Sequence, residues 1–172
     1  MRKTTGGILG MAALLMAAMA APAAAQKSDA QILGGMAGGD RGEVMIATWV
    51  RDHAHSAGVR SYARTLIRDH SAGLTQVRAA GRRAGVTPSA SASSDKVREA
   101  NQALATLKTK HGAEIDAAFV SHAVEDHRAD IATAEQDQAA AHHAAVKRLV
   151  TNTLPVLHRH LAAAEALQAH MH

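Results

Sequence analysis

Four stretches of the chain carry apolar residues at helical spacing, and each stripe contains one ionisable interruption. Ile32, Met36, Ile46 and Val50 lie on one face with Glu43, and Val59, Ala63, Leu66, Leu74 and Val77 on one face with His70. Phe119, Val120, Ala123 and Ile131 align with Asp116 and His127, and Leu149, Thr153, Leu157, Ala164 and Leu167 with His160. At 100° per residue these residues share apolar faces, so the pattern predicts four amphipathic helices.

Caps and breaks place the helix ends. Ser28-Asp29-Ala30-Gln31 is a capping box, opening a first helix that runs to about His55 and is weakened by Gly34, Gly35, Gly38 and Gly39. Ser56-Ala57-Gly58 turns the chain into a second helix ending near Gly85. The polar run Thr87 to Ser94 reads as the one long loop, followed by a short helix from Asp95 to about Lys110 and a break at Gly112. The third main helix is expected from about Ala113 to Asp137 and the fourth from about His143 to Gln168, kinked by Pro155. Tight turns within each pair and a longer link between pairs predict an all-α, antiparallel four-helix bundle with an extra short helix before the third main helix.

In an antiparallel hairpin, residues equidistant from the turn lie at one level. Glu43 and His70 centre on the Ser56 turn, and His127 and His160 centre beside His143, so each pair is expected to face across its hairpin. Asp116 is 11 residues from His127, about 16 Å along the axis, and is expected to act separately. Buried ionisable groups are paired, neutralised or bound to a metal. Glu43, His70, His127 and His160 are therefore the candidate metal ligands, with Asp69, Asp116 and Asp126 as secondary residues. Ile67-Arg68-Asp69-His70 echoes Val124-Glu125-Asp126-His127, a hint of two related halves.

Composition narrows the chemistry. Alanine-rich helices with 2% aromatic residues disfavour a β architecture, and the absence of cysteine excludes thiolate sites, disulfides and a Cys nucleophile. Arg2 and Lys3, an apolar run from Ile8 to Ala21 and Ala23-Ala24-Ala25 have the layout of a cleaved secretory signal over residues 1–25. That run is about 14 residues, short of the roughly 20 that span a bilayer. A single domain over 26–172, periplasmic or secreted, is the expectation. Loss of Arg2 and Lys3 leaves 17 of the 19 basic residues against 15 acidic ones, lowering the net charge from +4 to +2. Without a basic cluster interleaved with aromatics there is no nucleic-acid footprint. All 12 histidines lie beyond the signal. His53 with His55, His142 with His143 and His170 with His172 sit near helix ends and read as solvated, and Met36 and Met45 as packing residues.

The spacing from Glu43 through Val59, Tyr62-Ala63 and Asp69-His70 resembles the bacterial secreted family called domain of unknown function 4142. Ile115-Asp116-Ala117-Ala118-Phe119 with Asp126-His127, and Thr153-Leu154-Pro155-Val156-Leu157 with His160-Leu161, carry the same resemblance over roughly residues 28 to 168. Ile115 stands where an aromatic is more common. The resemblance implies a ferritin-like, extracytoplasmic bundle, for which outer-membrane association is a common label, and no defined activity.

Two functions fit such a layer. A buried Glu/His network would fix helix register, and is the first expectation. The alternative is a mononuclear or dinuclear site for a divalent metal such as zinc, copper or iron, since imidazole suits these ions. Ile67, Val124 and Leu157 stand three residues before the histidines, so the Glu-x-x-His signature of di-iron carboxylate bundles is absent. No nucleophile elbow, phosphate loop or zinc-protease motif points to an enzyme.

Overall fold

The computed structural model describes residues 26–171, and the signal segment read over residues 1–25 lies outside them. Among the described residues the chain is all-α, with five helices and no strand. They are α1 (Asp29–His53), α2 (Ala57–Ala84), α3 (Ala90–Leu107), α4 (Ala113–Ala140) and α5 (Ala144–Ala169). None of these helices is long and apolar enough to cross a membrane.

Local chemistry explains the ends. The Ser28 hydroxyl accepts from the Gln31 N–H while the Gln31 side chain accepts from the Ser28 N–H, completing the capping box. Ser56 and Ser89 cap α2 and α3, and Gly85 closes α2 in the left-handed conformation with φ 65°. The polar run expected to be a loop is mostly helix. With Ser89 as its cap, α3 begins at Ala90, so only residues 85–89 are left as connection. Serine is unremarkable in a helix once a cap and a packing surface exist, and the Ser-rich composition concealed both. Pro155 sits inside α5, which stays helical on either side of it.

That surface is supplied by glycine. Gly34, Gly38 and Gly42, one turn apart on α1, meet α3 at close range. A Cβ on Gly38 would come within 2.5 Å of the Ser93 carbonyl oxygen, and one on Gly42 within 2.6 Å of the Ala100 Cβ. The residues that weaken α1 in isolation are the groove that receives α3. The Ser89 N–H donates to the Ala30 carbonyl at 2.7 Å and fixes the start of the contact. Successive contacts from Gly34–Ser89 to Gly42–Ala100 ascend together, so α1 and α3 run parallel. α2 returns antiparallel to α1, α5 packs antiparallel on both α2 and α4, and α4 closes against α1.

Two carboxylates tie the ends together. Asp116 accepts from the His55 N–H at 2.8 Å and the Ser56 N–H at 2.6 Å, clamping the α1–α2 turn from α4. Asp29 accepts from the His142 and His143 N–H groups at 3.0 and 2.9 Å, clamping the α4–α5 turn from α1. Between these ends lie two apolar clusters. One gathers Ile46, Val50, Val59, Leu66, Phe119 and Val120, and the other Ile32, Leu33, Val77, Val146, Val150 and Leu157. Glu43, His70 and His127 fall between them along their helices, with buried His160 at the boundary on α5.

Candidate metal centre

Three helices each contribute one histidine to the middle of the protein. His70 (α2), His127 (α4) and His160 (α5) are buried, and His127 has no exposed surface. Their ring centroids lie 5.2–6.0 Å apart, and one nitrogen from each ring lies within 4.8 Å of the other two.

Each ring is oriented by a partner on its outer side. The His127 Nδ1–H donates to the Ala123 carbonyl at 2.9 Å, one turn back on α4. The His160 Nε2–H donates to Asp69 at 3.0 Å, and the His70 Nδ1–H donates to Asp40 at 2.8 Å. A neutral imidazole carries one proton, so these bonds fix the tautomers. The nitrogens left bare are His127 Nε2, His160 Nδ1 and His70 Nε2. The first two face each other at 3.3 Å, and the third is buried without a hydrogen-bond partner.

Burial disfavours the charged form of two of the three rings, His127 and His160. Burial is the main cause holding the His127 pKa down to about 4, reinforced by the charges of His70 and His160. Burial likewise lowers His160, partly offset by Asp69. Asp69 is held down to about 2, first by its hydrogen bond to Arg68 and then by His160, so it remains an ionised orienting group. The Tyr62 hydroxyl donates to the His160 carbonyl at 3.1 Å and braces α5 behind the ring.

Glu43 stands elsewhere than opposite His70. Its carboxylate groups with His122 and Asp126 of α4. The position facing His70 is taken by Asp40, one turn earlier. The α1–α2 turn is Ala54-His55-Ser56, centred on His55, whereas the pairing of Glu43 with His70 assumed a centre near Ser56-Ala57. An error of 1.5 residues at the turn doubles to about three along the helix, nearly one full turn. The secondary residues also take separate roles: Asp69 orients His160, Asp116 clamps a turn, and Asp126 lies beside Glu43.

Three functional candidates were missed in the sequence: Asp40, His122 and Asp130. Asp40 lies three residues before Glu43, and His122 and Asp130 lie four residues either side of Asp126, so helical spacing was the signal available. A cavity of about 110 Å³ reaches His70 and Asp40 from between α1, α4 and α5, walled by Met36, Leu157, Gly35 and Gly39.

No curated protein and no solved structure matches the chain. The sequence profile of the family described as Domain of unknown function (DUF4142) matches residues 14–167. With that much of its length matched, the chain belongs to this family.

Proposed function

We propose that this protein is an extracytoplasmic, ferritin-like four-helix bundle that holds one divalent transition-metal ion between His70, His127 and His160. In this reading α1, α2, α4 and α5 make the bundle and α3 is an addition laid along α1. The observation that carries the proposal is the convergence of three buried rings, each with one nitrogen already donating outward. Metal-ligating histidines almost always donate their other ring N–H to a carboxylate, a backbone carbonyl or water, and all three rings here do so. Two nitrogens held by one tetrahedral zinc ion lie roughly 3.3–3.4 Å apart. His127 Nε2 and His160 Nδ1 are 3.3 Å apart.

Three neutral imidazoles suit zinc, copper, nickel or ferrous iron. A three-histidine set leaves a coordination position open, and the ion would supply Lewis acidity there. The chain's own contribution is orientation through Asp40, Asp69 and Ala123, and exclusion of bulk water by the two flanking apolar clusters. Cleavage after Ala25 would leave no cysteine for a lipid anchor, so outer-membrane association in this reading runs through protein contacts.

One observation favours the structural network instead. If His127 or His160 takes a second proton, their 3.3 Å contact becomes a hydrogen bond beside the Asp69 carboxylate. Zinc titration followed by thermal melting separates the two. A metal site raises the melting temperature as zinc exceeds its dissociation constant, and the rise disappears in His70→Ala and His127→Ala. A network gives no zinc-dependent rise in wild type.

A further inference from the structure

We propose that Glu43, His122 and Asp126 form a second cation site, distinct from the histidine trio, for a hard divalent ion of the manganese type. Glu43 comes from α1, while His122 and Asp126 lie four residues apart on α4 and therefore on one face. One ligand atom of each lies within 4.8 Å of the other two. Two carboxylates and one imidazole make an oxygen-rich set, which suits manganese better than the all-nitrogen trio does. The site stands on different residues from the trio and does not depend on the trio holding an ion.

The independent sign of a ligand is the state of Glu43. Its residue is only 6% exposed, and the hydrogen-bond partner of its carboxyl is another acid, Asp126, rather than a basic group. Its nearest charged neighbours are acids: Asp126, then Asp130 and Asp40. A buried carboxyl ringed by carboxyls is costly unless it is protonated or a cation balances it. Among the described residues the basic groups beside these acids are His122 and Lys96 at the cavity and His70, which acts on Asp130. Lys96 stands at the rim, where it pairs with Glu99 at 2.9 Å and adds a longer-range attraction to Asp130 and Asp126.

There is also room. Glu43, His122, Asp126 and Asp130 line a cavity of about 60 Å³, walled on the α1 side by Gly39 and Gly42. That volume accommodates an ion with a water or two to complete its shell. Burial and the neighbouring charges push the Glu43 carboxyl well above its usual range, and burial pushes Asp130 up to about 7. A cation entering here exchanges for protons, so its uptake strengthens as pH rises.

The test is titration of manganese(II) into the untagged full chain at about pH 7.5, with free ion read by electron paramagnetic resonance. One equivalent should bind in wild type and in His160→Ala. Glu43→Gln and Asp126→Asn should each weaken binding about 100-fold, the upper end of what loss of a supporting group at a metal site costs. Without manganese, Glu43→Gln should melt above wild type at pH 8, because it removes a carboxyl whose ionised form is disfavoured there by burial and by the neighbouring acids. That rise separates a lost ligand from a lost fold. No uptake by wild type would overturn the proposal. So would uptake that survives both carboxamide substitutions, or uptake lost in His160→Ala and kept in Glu43→Gln.

Discussion

His127 Nε2 and His160 Nδ1 point their lone pairs at each other across 3.3 Å, because the opposite nitrogen of each ring already donates elsewhere. Two acceptors at that distance repel unless something positive lies between them. The choice is a proton or a metal ion, and His70 Nε2, buried and unpartnered, adds a third acceptor that one proton cannot satisfy.

Replacing His127 by Ala removes the residue at the centre of this arrangement. The metal-free protein should lose about 1–3 kcal/mol of stability, since a buried partner is left unsatisfied. Urea unfolding with and without zinc checks both consequences: the variant unfolds earlier without metal and gains nothing from it. His170→Ala with His172→Ala should leave the zinc response unchanged.

The pH dependence of the metal-free protein combines two opposing contributions. The pKa of His127 is near 4 in the folded protein and about 6.5 in the unfolded chain, so the unfolded chain takes up the proton first. This contribution is complete above pH 6.5 and lost as pH falls toward 4. The raised pKa of Asp130 works the other way: its contribution is present below the unfolded value near 3.8 and lost as pH rises through about 7. Asp130→Asn should therefore stabilise the protein at pH 8 and change little below about pH 4. Unfolding curves across pH for both chains test the sign.

The glycines of α1 should divide into two classes. A Cβ at Gly38 collides with the backbone of Ser93 and the Cβ of Lys96, neither of which is a flexible side-chain end. Gly38→Ala should cost about 1–3 kcal/mol by overpacking. At Gly35 a Cβ meets nothing within 4 Å, and Gly35→Ala should gain about 0.5–1 kcal/mol from the lower helix entropy cost. Denaturation midpoints of the two single variants provide the comparison.

Asp116→Ala leaves the His55 and Ser56 N–H groups without their acceptor. A loss of about 2–3 kcal/mol is expected, given two hydrogen bonds to one charged group. Asp116→Asn, which keeps one acceptor oxygen, should lose less. Faster amide exchange at His55 and Ser56 would locate the effect at the turn.

Much of this molecule was legible in its sequence. Capping residues such as Ser28 and Ser56 and the apolar stripes locate α1, α2, α4 and α5 to within a few residues, because local chemistry sets those features. His70, His127 and His160 stood out as ionisable residues on apolar faces, and all three are buried. What escaped depended on tertiary partners. Gly34, Gly38 and Gly42 read as helix weakeners because α3, which fills the space above them, was hidden in a Ser-rich segment. Asp40 escaped because pairing across a hairpin doubles any error in the turn centre, and Glu43 was assigned its place. His122 and Asp130 lie off the apolar stripe, and their spacing from Asp126 was a signal only for a shared face, not for the cavity they line.

The most direct measurement is X-ray absorption at the zinc edge of the untagged protein loaded with one equivalent of zinc. The account predicts a first shell dominated by histidine nitrogens at about 2.0–2.1 Å, with the imidazole scattering of three rings, reduced in His160→Ala. A shell of oxygen ligands alone, or a three-histidine signal unchanged by His160→Ala, would contradict it.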